Sequence, residues 1–276
     1  MKRNNLKEID KIRKKWNNRA KTYDDFYKTF RGAVESNVDW ELLRKYLPKS
    51  KEAKILDAAG GTGRISLTLA KMGYSITLCD IAPEMLALAK KKMLKEGVTD
   101  KVKILECNVS NLQFDDESFD FVMCWDGMVD QFVIKELIRV TKKGGLVSIY
   151  LNNKWAKFIK KFYENPKNTL ELIDSQPNFI GEQKKKHFSP EEARNLFERE
   201  GIKILDIYGV CHWAKILNIP DEIQEAKNWD NIFFKQTTKM FLKLSNEPSV
   251  KGISKHLIVF GKKNNSKIKI RNFQKF

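Results

Sequence analysis

Hydrophobic positions near the start of the chain recur at helical intervals. Leu6, Ile9, Ile12, Trp16, Ala20, Tyr23 and Tyr27 follow one another at steps of three and four, which predicts an amphipathic helix with an aromatic stripe. A second helix is predicted over 39–46, with Trp40, Leu43 and Leu47 on one side and Pro48 as its stop. From residue 53 the period changes. Short apolar runs at 53–58, 75–79, 102–106, 119–125 and 146–151 have the continuity of strands covered on both faces. Helical stretches at 64–72, 83–97 and 129–141 separate them, and Lys142-Lys143-Gly144-Gly145 reads as the turn into the fifth strand. This alternation predicts an α/β fold, a Rossmann-like, doubly wound sheet.

The pattern weakens after Leu151. Residues 152–186 mix aromatic and basic positions without a clear strand and read as an insertion. Order returns at Ser189-Pro190-Glu191-Glu192, where Ser189 is placed to cap a helix, Pro190 to occupy its first position and Glu192 to complete a capping box. A sixth strand is predicted at 202–208, a further irregular segment at 210–250, and a last strand at 256–260.

The candidate chemistry sits at the end of the first strand. Asp57-Ala58-Ala59-Gly60-Gly61-Thr62-Gly63 leads into a helix, and glycine there lets the backbone reach left-handed φ values and lets a ligand lie against the main chain. Asp80 closes the next strand, about twenty residues on, where a carboxylate accepts ribose hydroxyls. A dinucleotide fingerprint would read G-x-G-x-x-G. Here Ser66 replaces the third glycine, and Asp57 would repel a pyrophosphate, so the loop suits a cationic ligand better.

Charge changes the picture only at the ends. The net charge is +17, but residues 1–21 hold nine Lys or Arg against two acids and residues 262–276 hold six bases and no acid. The two ends supply thirteen of the seventeen, which leaves a nearly balanced body. Basic tails suit phosphates, or are simply solvated ends. No run of eighteen apolar residues occurs and the N-terminus is charged, so the expectation is a cytoplasmic protein with no membrane span. The four cysteines, Cys79, Cys107, Cys124 and Cys211, are widely spaced, which predicts buried reduced thiols and no metal site.

Taken in order, Ile55-Leu56-Asp57-Ala58-Ala59-Gly60-Gly61-Thr62-Gly63-Arg64, Ile76-Thr77-Leu78-Cys79-Asp80-Ile81-Ala82-Pro83-Glu84-Met85-Leu86, Phe119-Asp120-Phe121-Val122-Met123-Cys124 and Gly144-Gly145 resemble the class I S-adenosylmethionine (SAM) dependent methyltransferases. The resemblance implies a seven-stranded sheet with its last strand antiparallel. It divides the chain into an N-terminal helical lid (1–48), a methyltransferase domain (49–262) with acceptor-side insertions at about 152–187 and 210–250, and a basic tail (263–276). Carried over, Asp57 and the backbone of Ala59, Gly60, Gly61 and Gly63 would hold the methionine part of SAM, and Asp80 the ribose. Ile81 and Met85 would flank the adenine, Asn108 and Val109 would lie near its amino group, and Cys124 would stand at the cofactor end of the fourth strand. Asn108 departs from the Asp usual in the family, and Ala59 from a common Gly.

Parts of the second half, including Leu151-Asn152-Asn153 and Tyr208-Gly209-Val210-Cys211-His212-Trp213, resemble the bacterial tRNA carboxymethyluridine methyltransferases and their small-molecule relatives. Cys211 and Lys215-Ile216 depart from that subgroup, so the acceptor stays open. A small metabolite or modified nucleoside leads, tRNA is the alternative, and a noncatalytic SAM- or RNA-binding module is a third reading. An acceptor with a bound proton needs a base within hydrogen-bond reach, and Asp126, Asn153 and His212 are the candidates, with Asp130 more plausibly on a solvated helix face. Trp125, Trp155 and Trp213 are candidate walls. The sequence is silent on oligomeric state.

Overall fold

Strand and helix alternate in the computed structural model as the apolar pattern predicts, and the structure describes residues 2–125, 129–164, 187–210 and 220–265. Helix α1 (Lys2–Tyr23) leads through a 3-10 turn (Phe26–Lys28) into α2 (Phe30–Leu43). The units β1 (Lys54–Ala58), α3 (Arg64–Lys71), β2 (Ser75–Asp80), α4 (Pro83–Lys95), β3 (Val102–Glu106), β4 (Phe119–Cys124), α5 (Gln131–Val140) and β5 (Thr141–Asn153) follow. Helix α6 (Lys154–Glu164) comes next, then β6 (His187–Phe188), α7 (Pro190–Arg199) and β7 (Ile202–Val210). The short α8 (Asp221–Gln224), α9 (Asn231–Leu244) and α10 (Pro248–Ile253) precede β8 (His256–Lys263).

The main sheet runs β3-β2-β1-β4-β5-β8-β7, with β8 antiparallel to both neighbours. The two-residue β6 adds to β5 in parallel as an eighth strand. The order reverses at β1, so the carboxyl ends of β1 and β4 open on the crevice where such sheets take ligands.

Strand periodicity divides the core into two layers. Ile55, Phe121, Met123, Tyr150, Ile258 and Phe260 face α2, α3 and α9, whereas Leu56, Val122, Val147, Ile149, Leu257 and Val259 face α5 and α7. The alternation puts Asp57 on the α3 side, which decides its partner. The predicted capping box forms in full, with Glu192 N donating to Ser189 Oγ (3.1 Å) and Ser189 N to Glu192 Oε2 (2.9 Å).

Tertiary contacts change several expectations. Helix α2 starts nine residues earlier than predicted, because Thr29 caps it by accepting from Gly32 N (3.1 Å) and Phe30 is buried against Phe233, Trp229 and Phe234. The 210–250 segment, read as irregular, supplies α9, which packs on α2, along with α8 and α10. The glycine pair at 144–145 lies inside β5 rather than in a turn before it. Asp130 is no solvated helix residue. It is 6% exposed and caps α5, accepting from Phe132 N and Val133 N.

Candidate functional site

The glycine turn is built by backbone conformation. Ala59 (φ 57°), Gly61 (φ 55°) and Gly63 (φ 73°) are all left-handed, and Gly63 is the residue from which α3 starts. For Ala59, which has a Cβ, this conformation costs about 1–2 kcal/mol. Gly60 N donates to Cys79 O (3.1 Å) and Gly63 N to Gly60 O (2.9 Å), so the turn is tied to the end of β2 and to itself.

Asp80 organises both sides of that turn. Its Oδ2 accepts from Gly61 N (3.0 Å) and its Oδ1 from Ala82 N (2.8 Å). Burial pushes its carboxyl up in pKa, opposed by the amides of Ala82, Gly61 and Ile81. A carboxylate has about four acceptor positions, so these amides do not exhaust them.

Asp57 lies beneath the turn. It is 2% exposed, and its Oδ2 accepts from Ser66 Oγ (2.6 Å). Burial raises its pKa to about 6, against the Ser66 hydrogen bond and the Arg64 charge, while Asp80 adds to the rise. A Cβ on Gly60 would stand 2.6 Å from Asp57 Cγ, so the carboxylate lies directly beneath the backbone of the turn.

The residues assigned to adenine divide. Ile81 is half-buried, and Met85 is 2% exposed, packed with Ala82 against Ala20 of α1, with Trp16 and Tyr23 at the edge. Asn108 Oδ1, the oxygen assigned to the adenine amino group, accepts from Ser110 N (3.0 Å) in a local turn, and Val109 is half-buried at the edge of the α5-side layer. Cys79 and Cys107, expected as reduced thiols, are paired as a disulfide with Cα atoms 5.6 Å apart. Parallel pairing of β2 with β3 brings them together across the edge of this subsite.

Helix α1 covers the same edge through polar contacts that the apolar stripe did not reveal. Arg13 Nε donates to Ile81 O (3.2 Å), Arg13 Nη2 to Glu106 (3.2 Å), and Asn17 Oδ1 accepts from Glu84 N (3.1 Å). Just beyond α1, Asp24 joins Thr62 Oγ1 (2.8 Å) of the glycine turn to Lys92 (2.5 Å) of α4. No spacing in the sequence singles out Arg13, Asn17, Asp24 or Thr62, since each matters only through a partner remote in the chain.

On the acceptor side, Asp126 and His212 lie outside the described residues, as does Trp213. Asn153 closes β5. It is 1% exposed, both hydrogens of its amide go to Lys251 O (3.2 Å) and Gly252 O (3.0 Å), and its Oδ1 accepts from Trp155 N (3.0 Å). It ties the end of β5 to α10 through both hydrogens of its amide. Cys124 closes β4. Its side chain is wholly buried in the layer under α5. Trp125 is 5% exposed and pinned by Nε1–H donation to Ser148 Oγ (2.9 Å), and Trp155 lies partly exposed on α6. No described helix is long and apolar enough to cross a membrane.

Comparison with known proteins agrees with this geometry. Residues 55–145 match a methyltransferase-domain family. The chain is 39% identical over 98 residues to a ubiquinone/menaquinone biosynthesis C-methyltransferase of Rhodopseudomonas palustris, covering 33% of this chain and 39% of that protein. It is 26% identical over 138 residues to the tRNA 5-carboxymethoxyuridine methyltransferase of Escherichia coli K12, covering 47% of this chain and 52% of that protein. The matched stretch thus spans two fifths to half of these relatives' length. Among solved structures, a SAM-dependent methyltransferase from Methanosarcina mazei shares the fold (TM-score 0.53, 21% identity, 82% of this chain and 98% of that one). So does the magnesium protoporphyrin IX methyltransferase of Synechocystis PCC 6803 with bound S-adenosylhomocysteine (SAH) (TM-score 0.52, 14% identity, 85% and 83%). The strand order, the left-handed glycine turn and the acid closing β2 thus accompany a chain that is similar to methyltransferase domains over residues 55–145 and shares the fold of solved SAM-dependent methyltransferases.

Proposed function

We propose that this chain is an enzyme that transfers the methyl group of SAM to a small metabolite or a modified nucleoside in the cytoplasm. The observation that carries this reading is Asp80, buried between the glycine turn and the start of α4, where it accepts from an amide on each side. When bound, SAM supplies a methyl group on a sulfonium that is already a good leaving group. The protein's task is then orientation and exclusion of water, which together remove several kcal/mol from such a barrier. Asp80 holds the ribose, the main chain of the turn lines the amino-acid end, Asp57 offers its negative field from below, and α1 acts as the lid over the adenine.

The tRNA alternative is favoured by one specific observation: Lys7, Lys11, Lys14, Lys15, Arg19 and Lys21 are all exposed on α1. Transfer of labelled methyl from SAM into a metabolite extract, measured beside transfer into total tRNA, tests both. Label in the metabolite fraction supports the main reading, label in tRNA the alternative. SAM binding with label in neither leaves a binding module.

The state of Asp57 gives this reading a pH signature. Its folded pKa of about 6 lies above the ordinary carboxylate value of 3.8, so the folded protein holds more protons than the unfolded chain between those limits. Stability of the ligand-free protein should therefore fall as pH rises through about 6. Donor affinity should run the other way, because a cationic ligand favours the ionised carboxylate. Calorimetric titrations with SAM should show binding weakening several-fold, bounded by about tenfold per pH unit, as pH drops below that point. Asp57→Asn should flatten both profiles, and an unaltered SAM profile in that variant would remove Asp57 from the site.

A further inference from the structure

An open cavity of about 390 Å³ lies between α2, the first turn of α3 and the end of β4. Its lining includes Arg64, the residue after Gly63, and Trp125, the residue after β4, so it adjoins the glycine turn and the carboxyl end of β4. Resting on the methyl-transfer reading, we propose that this cavity is the acceptor site. We further propose that it selects a planar heteroaromatic ring with a carbonyl and an N–H side by side on one edge, and that Asn37 reads that edge.

The walls argue for flatness. Tyr27, Trp40, Trp125 and Phe234 line the cavity with ring faces and edges. Two are held in place by contacts behind them. Trp125 donates to Ser148 and packs 5.6 Å from Tyr150, and Phe234 stacks on Trp229 at 5.9 Å. Pre-set aromatic walls take a flat ring at little cost in side-chain freedom and leave less room for a branched aliphatic chain.

The polar rim argues for the edge. Most polar groups lining the cavity already have partners within the protein. Arg64 Nη1 donates to Ser36 Oγ (2.7 Å) while its guanidinium covers the Tyr27 ring at 4.2 Å, and Asp39 Oδ1 accepts from the Tyr150 hydroxyl (3.1 Å). Asn37 differs. It is half-buried on the face of α2 that lines the cavity, and its side chain has no hydrogen-bond partner among the described residues. A primary amide presents one acceptor and two donors side by side, the complement of a lactam edge. A hydrocarbon occupant would strip water from Asn37 and Asp39 and return no hydrogen bond, which disfavours it. Pockets of this volume take drug-sized molecules, so the ring enters either as a free compound or as a base turned out of an RNA.

The test uses the full chain saturated with SAH, titrated with uridine, with menadione as a flat ring lacking the N–H, with geraniol as an isoprenoid chain, and with total tRNA. Uridine is expected to bind at least tenfold more tightly than menadione or geraniol. Asn37→Leu should weaken uridine at least tenfold while changing SAH affinity by less than twofold. If uridine fails but tRNA binds and loses at least tenfold in Asn37→Leu, the same edge is read on a base presented by RNA. Equal or tighter binding of menadione or geraniol overturns the proposal. So does the absence of any uridine or tRNA binding that depends on Asn37 in a protein that still binds SAH. A wild-type chain that fails to bind SAH counts instead against the methyl-transfer reading.

Discussion

Asp80→Ala is expected to weaken SAM binding by at least about 100-fold, from two losses that act together. The first is the charged acceptor for the ribose diol, since hydrogen bonds to charged groups are worth about 1.5–3 kcal/mol each. The second is internal. Gly61 N and Ala82 N both donate to this carboxylate, and without it the glycine turn and the start of α4 lose their common anchor. Removing a buried charge also relieves the desolvation that raises the Asp80 pKa, which offsets part of the cost to the fold. Calorimetric titration with SAM, beside thermal unfolding of the same sample, separates the two effects. Wild-type affinity in a folded Asp80→Ala protein would refute the ribose assignment.

Gly60→Ala should do comparable damage by sterics alone. The added Cβ would stand 2.6 Å from Asp57 Cγ and 2.7 Å from its Oδ2, and would overlap the Leu78 side chain still more closely. Leu78 is wholly buried, and Asp57 is held by Ser66 on the other side, so neither has room to retreat. Overpacking of this kind costs about 1–3 kcal/mol of stability. The turn would also have to lift off β2, away from the position in which Gly60 N donates to Cys79 O. A drop in the unfolding midpoint with loss of SAM binding is the expected result. A methyl group tolerated at this position with full SAM affinity would mean that the backbone and Asp57 are not closely stacked. Gly61 is a useful contrast, because a Cβ there meets nothing within 4 Å, and substitution would report only its left-handed φ of 55°.

The features legible in the chain are those that local physics determines. Apolar runs too short for helices had to be strands, and their continuity required cover on both faces, as the two core layers show. The glycine turn and the Ser189 capping box depend on residues within a few positions of one another, so their geometry was readable directly. Asp80 was also legible, because the end of a parallel strand next to such a turn has only one crevice to face.

What the tertiary structure decided are properties set by partners far along the chain. Helix α2 extends back to Phe30 because α9, some two hundred residues later, covers it, and no periodicity around residue 30 carries that information. Cys79 and Cys107 pair because β2 and β3 lie side by side in parallel, a register that cysteine spacing does not encode. Asn153 looked available for chemistry from its place at a strand end, yet Lys251 and Gly252 take both hydrogens of its amide. Asp57 was assigned to the ligand by its motif, whereas the fold turns it under Gly60 onto Ser66. Sequence alone thus determined the alternating strands and helices of the sheet and the glycine turn at its centre. Only packing determined which polar groups the fold itself uses and which, like Asn37, have no hydrogen-bond partner among the described residues, because burial and long-range pairing are properties of the assembled chain.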